Sequence, residues 1–178
     1  ILNEARELRK IVDTEKRNET LSDDKATIKD LILYLCKSLD LNYKYVCVIL
    51  PTAPFTLSKH LKEGYKKLIT DKLSDGIISL TTYEFPPQFS ISLERNLIKP
   101  AFPNSPLISG DTRSQNQERL FRPNGAFYIY KIESLLTNKS FWKGRIIGYE
   151  MNREYSVDID TYDDYLYAQY IYQKNNIL

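Results

Sequence analysis

The chain has 178 residues, 42% of them hydrophobic and 27% charged, and a formal net charge of +2. That length suits one domain with a sizeable core, and so small a charge gives no support to nucleic acid as a partner. It contains neither a run of about 18 apolar residues nor a signal-peptide pattern, so membrane insertion and export find no support and a cytoplasmic location is expected.

Residues Ile1 to Leu8 read as the inside of an amphipathic helix, with Ile1, Ala5 and Leu8 on one face and nothing ahead to cap it, so an upstream segment is expected. Lys10-Ile11-Val12 reads as a short strand, and a charged loop ends in Ser22-Asp23-Asp24, a helix start. The helix predicted from about Lys25 to Leu39 carries Ile28, Leu31, Ile32, Leu35, Cys36 and Leu39 at three- and four-residue steps. Tyr45 to Leu50 is a continuous apolar run, as expected of a central strand buried on both faces. Pro51-Thr52-Ala53-Pro54 stops it. A helix from about Leu57 to Thr70 sets Leu57, Leu61, Tyr65, Leu68 and Ile69 against a lysine-rich outer face, and a strand follows at Gly76 to Thr82. Alternation of this kind argues for a mixed or parallel sheet with helices on both faces.

Ser90 to Leu93 and Leu97 to Lys99 resemble a hairpin around Glu94-Arg95-Asn96. From Pro100 to Pro123 the chain is polar and carries Arg113, Arg119 and Arg122; a stretch so long is expected to be functional or disordered. Asn124-Gly125 has the chemistry of a turn before a strand at Ala126 to Tyr130. A short helix near Ile132 to Leu136, a strand at Arg145 to Glu150 and a final helix to about Gln173 complete the pattern. No repeat or interdomain linker is visible, so residues 1–178 are expected to form one domain, less regular around 84–145.

The two cysteines, Cys36 and Cys47, sit in apolar patterns without zinc spacing, which suggests buried free thiols in a reducing compartment. Of fourteen tyrosines, nine crowd the last third, where packing, a subunit interface and ligand stacking are equally open. His60, the single histidine, lies among helical lysines, so a solvated surface role is expected and a hydrolase built on a histidine base finds no support. None of the six glycines forms a phosphate-cradling pattern.

Chemistry concentrates at Ser156-Val157-Asp158-Ile159-Asp160-Thr161, read as a short apolar strand running into a helix. Residues two apart in an extended segment point the same way, so Asp158 and Asp160 can reach one hard cation such as Mg²⁺. The commoner role for such a cluster is capping, by Asp160 or Thr161, with Asp163 and Asp164 favouring the helix dipole. Both roles are compatible.

Ile49-Leu50-Pro51-Thr52-Ala53-Pro54, Arg122-Pro123-Asn124-Gly125-Ala126-Phe127-Tyr128-Ile129 and Ser156 to Thr161, in this order, resemble the acylneuraminate cytidylyltransferases, the synthetases of CMP-sialic, CMP-legionaminic and CMP-pseudaminic acids. The resemblance implies a three-layer α/β/α Rossmann-like nucleotidyltransferase fold with a mixed, mostly parallel sheet. It also implies transfer of CMP from CTP to a nine-carbon 2-keto sugar acid with release of pyrophosphate, for surface glycan biosynthesis, and a homodimer. Asp158 and Asp160 would match the catalytic Mg²⁺ ligands. Thr52, Arg113, Gln115, Asn124 and Tyr128 would meet the sugar acid, Arg113 through its carboxylate. Phe141 and Trp142 would match an aromatic pair that reaches a neighbouring subunit's site, while Arg17 and Thr27 would face the nucleotide.

Three departures accompany the resemblance. Leu50 stands where the family has glutamine. Arg113-Ser114-Gln115 resembles the pseudaminic branch, whereas Arg122 to Gly125 and Asp158 to Thr161 resemble the sialic and legionaminic one. The family's N-terminal strand and CTP-binding loop have no counterpart, so the chain alone is expected to be a truncated, poorly active form. Two other readings remain at this stage: a non-catalytic relative acting as a binding domain, and a nucleotidyltransferase for another sugar.

Overall fold

The structure, a computed structural model, describes residues 21–22, 27–38 and 43–175. The expectations for the first twenty residues, Arg17 included, lie outside them. Helix α1 spans Ile28–Ser38, followed by β1 (Tyr45–Ile49), α2 (Ser58–Thr70) and β2 (Gly76–Thr82). Next come β3 (Ile91–Glu94), β4 (Leu97–Pro100) and the short α3 (Pro106–Ser109), then β5 (Phe121–Lys131), α4 (Ile132–Asn138), β6 (Ile146–Glu150) and α5 (Tyr162–Asn175).

The main sheet has the order β1-β5-β2-β6. β2 and β6 pair in parallel, while β5 lies antiparallel to both β1 and β2. Three strands therefore run one way and β5 runs against them. Alternate residues of the central pair face opposite layers. Ile77, Phe127 and Ile129 pack with Leu68 of α2, whereas Ile78 and Tyr130 pack with Leu135 of α4 and, at the margin, Ile32 and Leu33 of α1. A third cluster seats Ala168 and Ile171 of α5 on Phe55 and Val157. Helices thus cover both faces of a mixed sheet, the α/β arrangement expected from the alternation of elements.

Four expectations change. β1 is an edge strand among the described residues; its Val48 is buried, but Cys47 and Ile49 open onto a groove lined by Tyr45, Leu61 and Tyr65. Cys47 is consequently exposed and Cys36 only half-buried, so neither is a core thiol. The buried stripe of α2 is His60, Gly64 and Leu68, while Tyr65 and Ile69 remain exposed. A Cβ on Gly64 would stand 2.8 Å from the Phe127 ring, so only glycine lets the helix approach so closely.

His60 is 5% exposed rather than solvated. Its Nδ1 accepts a hydrogen bond from the Leu57 amide, a free donor at the start of α2, and its ring lies edge-on to Tyr155.

The fourth change concerns β5, which runs unbroken through Pro123-Asn124-Gly125 instead of turning there. Its pairing with β2 shifts register between Ile78 and Leu80. Ser79 fills the irregularity, its hydroxyl donating to the Phe127 carbonyl and accepting from the Phe127 amide, each at 2.9 Å. Gly125 takes φ +73°. The Asn-Gly pair thus makes a bulge, a feature sharing the turn's need for a left-handed residue.

Candidate active site

β1, β2 and β6 share a direction, so their C-terminal ends meet at one end of the sheet, where antiparallel β5 begins with Phe121 and Arg122. The three motifs singled out in the sequence converge here. The Ile159 amide donates to the Thr52 carbonyl at 2.8 Å, tying the aspartate segment to the loop after β1. Asn124 Nδ2 donates to Ser156 Oγ at 2.8 Å, tying the same segment to β5. Ser156 Oγ in turn donates to the Asn152 carbonyl at 2.9 Å.

The aspartate segment is not a strand. A 3-10 turn at Arg153–Tyr155 leads into irregular chain, because these bonds run to other segments rather than along a ladder. Asp158 lies over the bulge: a Cβ on Gly125 would stand 3.1 Å from Asp158 Oδ2. Asp158 Oδ1 is buried and has no hydrogen-bond partner. An orphaned carboxylate oxygen inside a protein is costly unless something charged meets it. Asp160, two residues on, is exposed.

Capping falls to Thr161, one of the two residues expected for it, together with Asp164. Thr161 Oγ1 accepts from the Asp164 amide at 3.2 Å, and Asp164 Oδ2 accepts from the Thr161 amide at 2.8 Å, a reciprocal box at the start of α5. The Thr161 hydroxyl, donating to Asp164 Oδ2 at 2.7 Å, and then the Thr161 amide hold the Asp164 carboxyl below its ordinary range. The side chains of Asp158 and Asp160 are left for other work. Among the described residues no three His, Cys, Asp or Glu cluster as a complete metal cage. Asp158, with its unsatisfied oxygen, is the carboxylate that suits a hard cation shared with phosphate and water, whereas Asp160 does not line the cavity around it.

Tyr128 flanks this point; burial, and then the Asp158 charge, push its phenol above the ordinary value. Phe141 stacks on Tyr128 and Tyr130 of its own chain, with ring centroids 5.7 and 5.1 Å away. Trp142 is 64% exposed. Asn124 is fully buried, so its amide positions the aspartate segment and does not face a substrate. Thr27 caps α1, its hydroxyl donating to Asp30 Oδ2 and accepting from the Asp30 amide, and is not free for a nucleotide.

Arg113 is exposed, and the Ser114–Asn116 turn after it sets Gln115 in a separate depression of about 300 Å³. Neither Arg113 nor Gln115 joins the cavity of about 160 Å³ around Asp158, which Arg122 and Arg153 line instead. Sequence reasoning missed both arginines. Arg122 was signalled by its place inside the second motif; Arg153, five residues before Asp158, had no signal.

Comparison with known proteins finds relatives by sequence and by fold. The N-acylneuraminate cytidylyltransferase of Streptococcus agalactiae serotype V is 30% identical over 156 residues, 85% of this chain and 36% of the relative. The pseudaminic acid cytidylyltransferase of Campylobacter jejuni is 28% identical over 163 residues, 90% of this chain and 68% of the relative. The chain is a sequence relative of the acylneuraminate cytidylyltransferases. A CMP-N,N'-diacetyllegionaminic acid synthase of Legionella pneumophila is 25% identical over 166 residues, 89% of this chain and 68% of the relative. The chain spans about a third of the length of the streptococcal relatives. No family model matches it.

Among solved structures, the 4-diphosphocytidyl-2C-methyl-D-erythritol synthase of Anaerococcus prevotii superposes with a TM-score of 0.61 at 11% identity, over 97% of this chain and 77% of that one. CMP:2-keto-3-deoxy-manno-octonic acid synthetase, solved with CTP, superposes with a TM-score of 0.54 at 10% identity, over 87% and 70%. At such identity the likeness concerns the fold alone.

Proposed function

We propose that the protein of which this chain is a part transfers CMP from CTP to a nine-carbon 2-keto sugar acid of the sialic, legionaminic or pseudaminic type. The observation that carries this reading is the buried, unpartnered Asp158 Oδ1 at the strand ends, within a chain related to three such transferases. The acid's anomeric oxygen attacks the α-phosphorus of CTP, the bond to the bridging oxygen breaks, pyrophosphate leaves and the hydroxyl proton passes to solvent. Asp158 and Asp160 would hold Mg²⁺, which when bound supplies charge neutralisation to the triphosphate and acidifies the attacking hydroxyl. Tyr128 stands beside Asp158 to orient the acid, and the chain at Thr52 braces the carboxylates through the Ile159 amide.

The reading extends to assembly and place. The β3–β4 hairpin is exposed along its whole length, Leu93, Leu97 and Ile98 each by about two-thirds, in a protein that needs no apolar display for the chemistry above. A second copy of the chain is the partner assigned to that surface, making residues 84–145 the dimerisation and substrate-loop part of a single 178-residue domain. Among the described residues no helix is long and apolar enough to cross a membrane. A cytoplasmic enzyme feeding surface glycan synthesis fits.

The test is pyrophosphate release by the full-length protein with CTP and Mg²⁺ against sialic, legionaminic and pseudaminic acids. Release with one acid establishes the activity and its substrate. A folded protein silent with all three would overturn the reading in favour of a binding domain or of another sugar.

A further inference from the structure

His60 is the one histidine of the chain, yet it is buried at the start of α2, where it touches both supports of the aspartate segment. Its ring lies 5.0 Å from that of Tyr155, in the turn that leads into the segment, and 6.3 Å from that of Tyr149 on β6. Its Nδ1 accepts a hydrogen bond from the Leu57 amide at 3.1 Å. Leu57 and Tyr155 in turn pack in one apolar cluster with Val157 and Ile159, the residues on either side of Asp158. One imidazole thus holds two of the side chains against which the Asp158 backbone is seated.

The arrangement holds in one protonation state. A neutral imidazole has one N–H and one acceptor nitrogen, so Nδ1 serves Leu57 only while it is bare. Once the ring is protonated both nitrogens donate, and N–H faces N–H at Leu57. The same proton sets a second positive charge beside Lys59, whose Nζ already sits over the Tyr155 ring at 4.8 Å. Glu63, one turn along α2, is the carboxylate that faces His60, and it is engaged by the Tyr149 hydroxyl. Burial, and then Lys59, keep the imidazole neutral to a lower pH than usual, with Glu63 opposing.

Building on the transferase reading above, we infer that His60 is a positioning residue for the segment that carries Asp158, and that its protonation releases that segment. In the neutral form the ring pins Leu57 and Tyr155, and the Ile159 amide keeps its bond to the Thr52 carbonyl at 2.8 Å. Asp158 then stays over the Gly125 bulge. In the protonated form the bond to Leu57 is lost, the start of α2 and the turn at Tyr155 part, and the Ile159 amide opens to solvent. Mild acid therefore loosens the metal site while the sheet stays folded.

Hydrogen exchange of the full-length protein, resolved to single amides from pH 5 to 8, tests this without substrate. The Ile159 amide is the probe; the Lys131 amide, bonded to the Asp75 carbonyl at 2.8 Å at the opposite end of the sheet, is the reference. Ile159 is expected to be less protected than Lys131 and insensitive to low urea, the mark of local opening. Between pH 7.5 and 5.5 its protection factor should fall about tenfold in wild type, as expected if the released imidazole titrates at its ordinary value. His60→Gln keeps an acceptor for Leu57 and cannot titrate, so there the fall should be less than about twofold. An Ile159 amide that exchanges only together with Lys131, that ignores pH, or that falls equally in wild type and His60→Gln would overturn the inference; if the variant does not fold, the wild-type profile decides. Transfer is scored apart, the Mg²⁺ needed for half-maximal rate rising more steeply below pH 6.5 in wild type than in His60→Gln. Protection that follows His60 in a protein that transfers no CMP sinks the transferase reading alone, and transfer with Ile159 protection indifferent to His60 sinks this inference alone.

Discussion

The side-chain amide of Asn124 donates to the hydroxyl of Ser156, 32 positions along the chain, inside a fully buried contact that also touches Met151 Sδ at 3.3 Å. The bulge of β5 is thereby fastened to the segment that carries Asp158. Asn124→Ala removes the fastener and leaves Ser156 and the Ala126 amide without their partner. The expected cost is about 2 kcal/mol in urea unfolding, with transfer falling further than the loss of folded protein explains.

Gly125 answers a different demand, since its φ of +73° strains any other residue and a Cβ there would crowd Asp158. Gly125→Ala is expected to cost about 1 to 2 kcal/mol from the left-handed conformation alone. It also pushes Asp158 aside, so the Mg²⁺ concentration needed for half-maximal transfer should rise. A rate and Mg²⁺ dependence like wild type would show that Asp158 does not depend on the bulge.

Asp158→Asn and Asp160→Asn are expected to lower transfer about 100-fold or more while the melting temperature stays close to wild type. The reasoning differs for each. Asp158 Oδ1 has no protein partner to lose, and Asp160 is exposed. Initial rates across a Mg²⁺ series, beside thermal melts, check both. Activity equal to wild type in either variant would remove that carboxylate from the metal site.

Burial, and then the charge of Lys59, hold His60 below its ordinary value of 6.5, with Glu63 opposing. The unfolded chain therefore takes up a proton at a higher pH than the folded one, so stability is full above about pH 6.5 and declines as the pH falls. The decline ends once the folded imidazole is itself protonated. His60→Gln keeps an acceptor for the Leu57 amide but cannot titrate, so its profile should be flatter, with a loss near neutral pH of about 1 kcal/mol from the ring contact with Tyr155. Urea unfolding from pH 5 to 8 measures both curves.

Leu93 and Ile98 are cross-strand partners on the exposed hairpin. Replacing both by Glu touches no core and should shift stability by less than about 1 kcal/mol. Light scattering is expected to show dimers for the wild type and monomers for the double variant. A monomeric wild type, or an unaffected dimer, would place the subunit contact elsewhere or nowhere.

Most elements were legible because apolar runs and three- to four-residue steps mark buried strands and helix faces directly. β2 was located to the residue, and the β3–β4 turn follows from Arg95 and Asn96 at φ +47° and +69°. The misreadings share one cause. His60 and Gly64 do not look apolar, yet one satisfies a helix end and the other admits a ring, so the true inner face of α2 was hidden. Asn124-Gly125 suits a turn and a bulge equally, and only the partner strand decides. At the site Asp158 and Asp160 were paired by a spacing that holds for a strand, but the segment is irregular and Asp160 does not line the cavity around Asp158. The inward turn of Asn124 and the reach of Arg153 to Glu84 were not visible, because residue type does not reveal direction.

The placement of β5 carries a consequence for biosynthesis. β1 and β2 are successive strands, yet each pairs with β5 and not with the other. Among the described residues, a nascent chain that has not yet exposed Lys131 can close only the outlying hairpin and can complete no ladder of the main sheet. Among the described residues, β1 therefore meets its partner strand only after more than two-thirds of this chain has been delivered, and in that interval an apolar strand waits open to chaperones and to other copies.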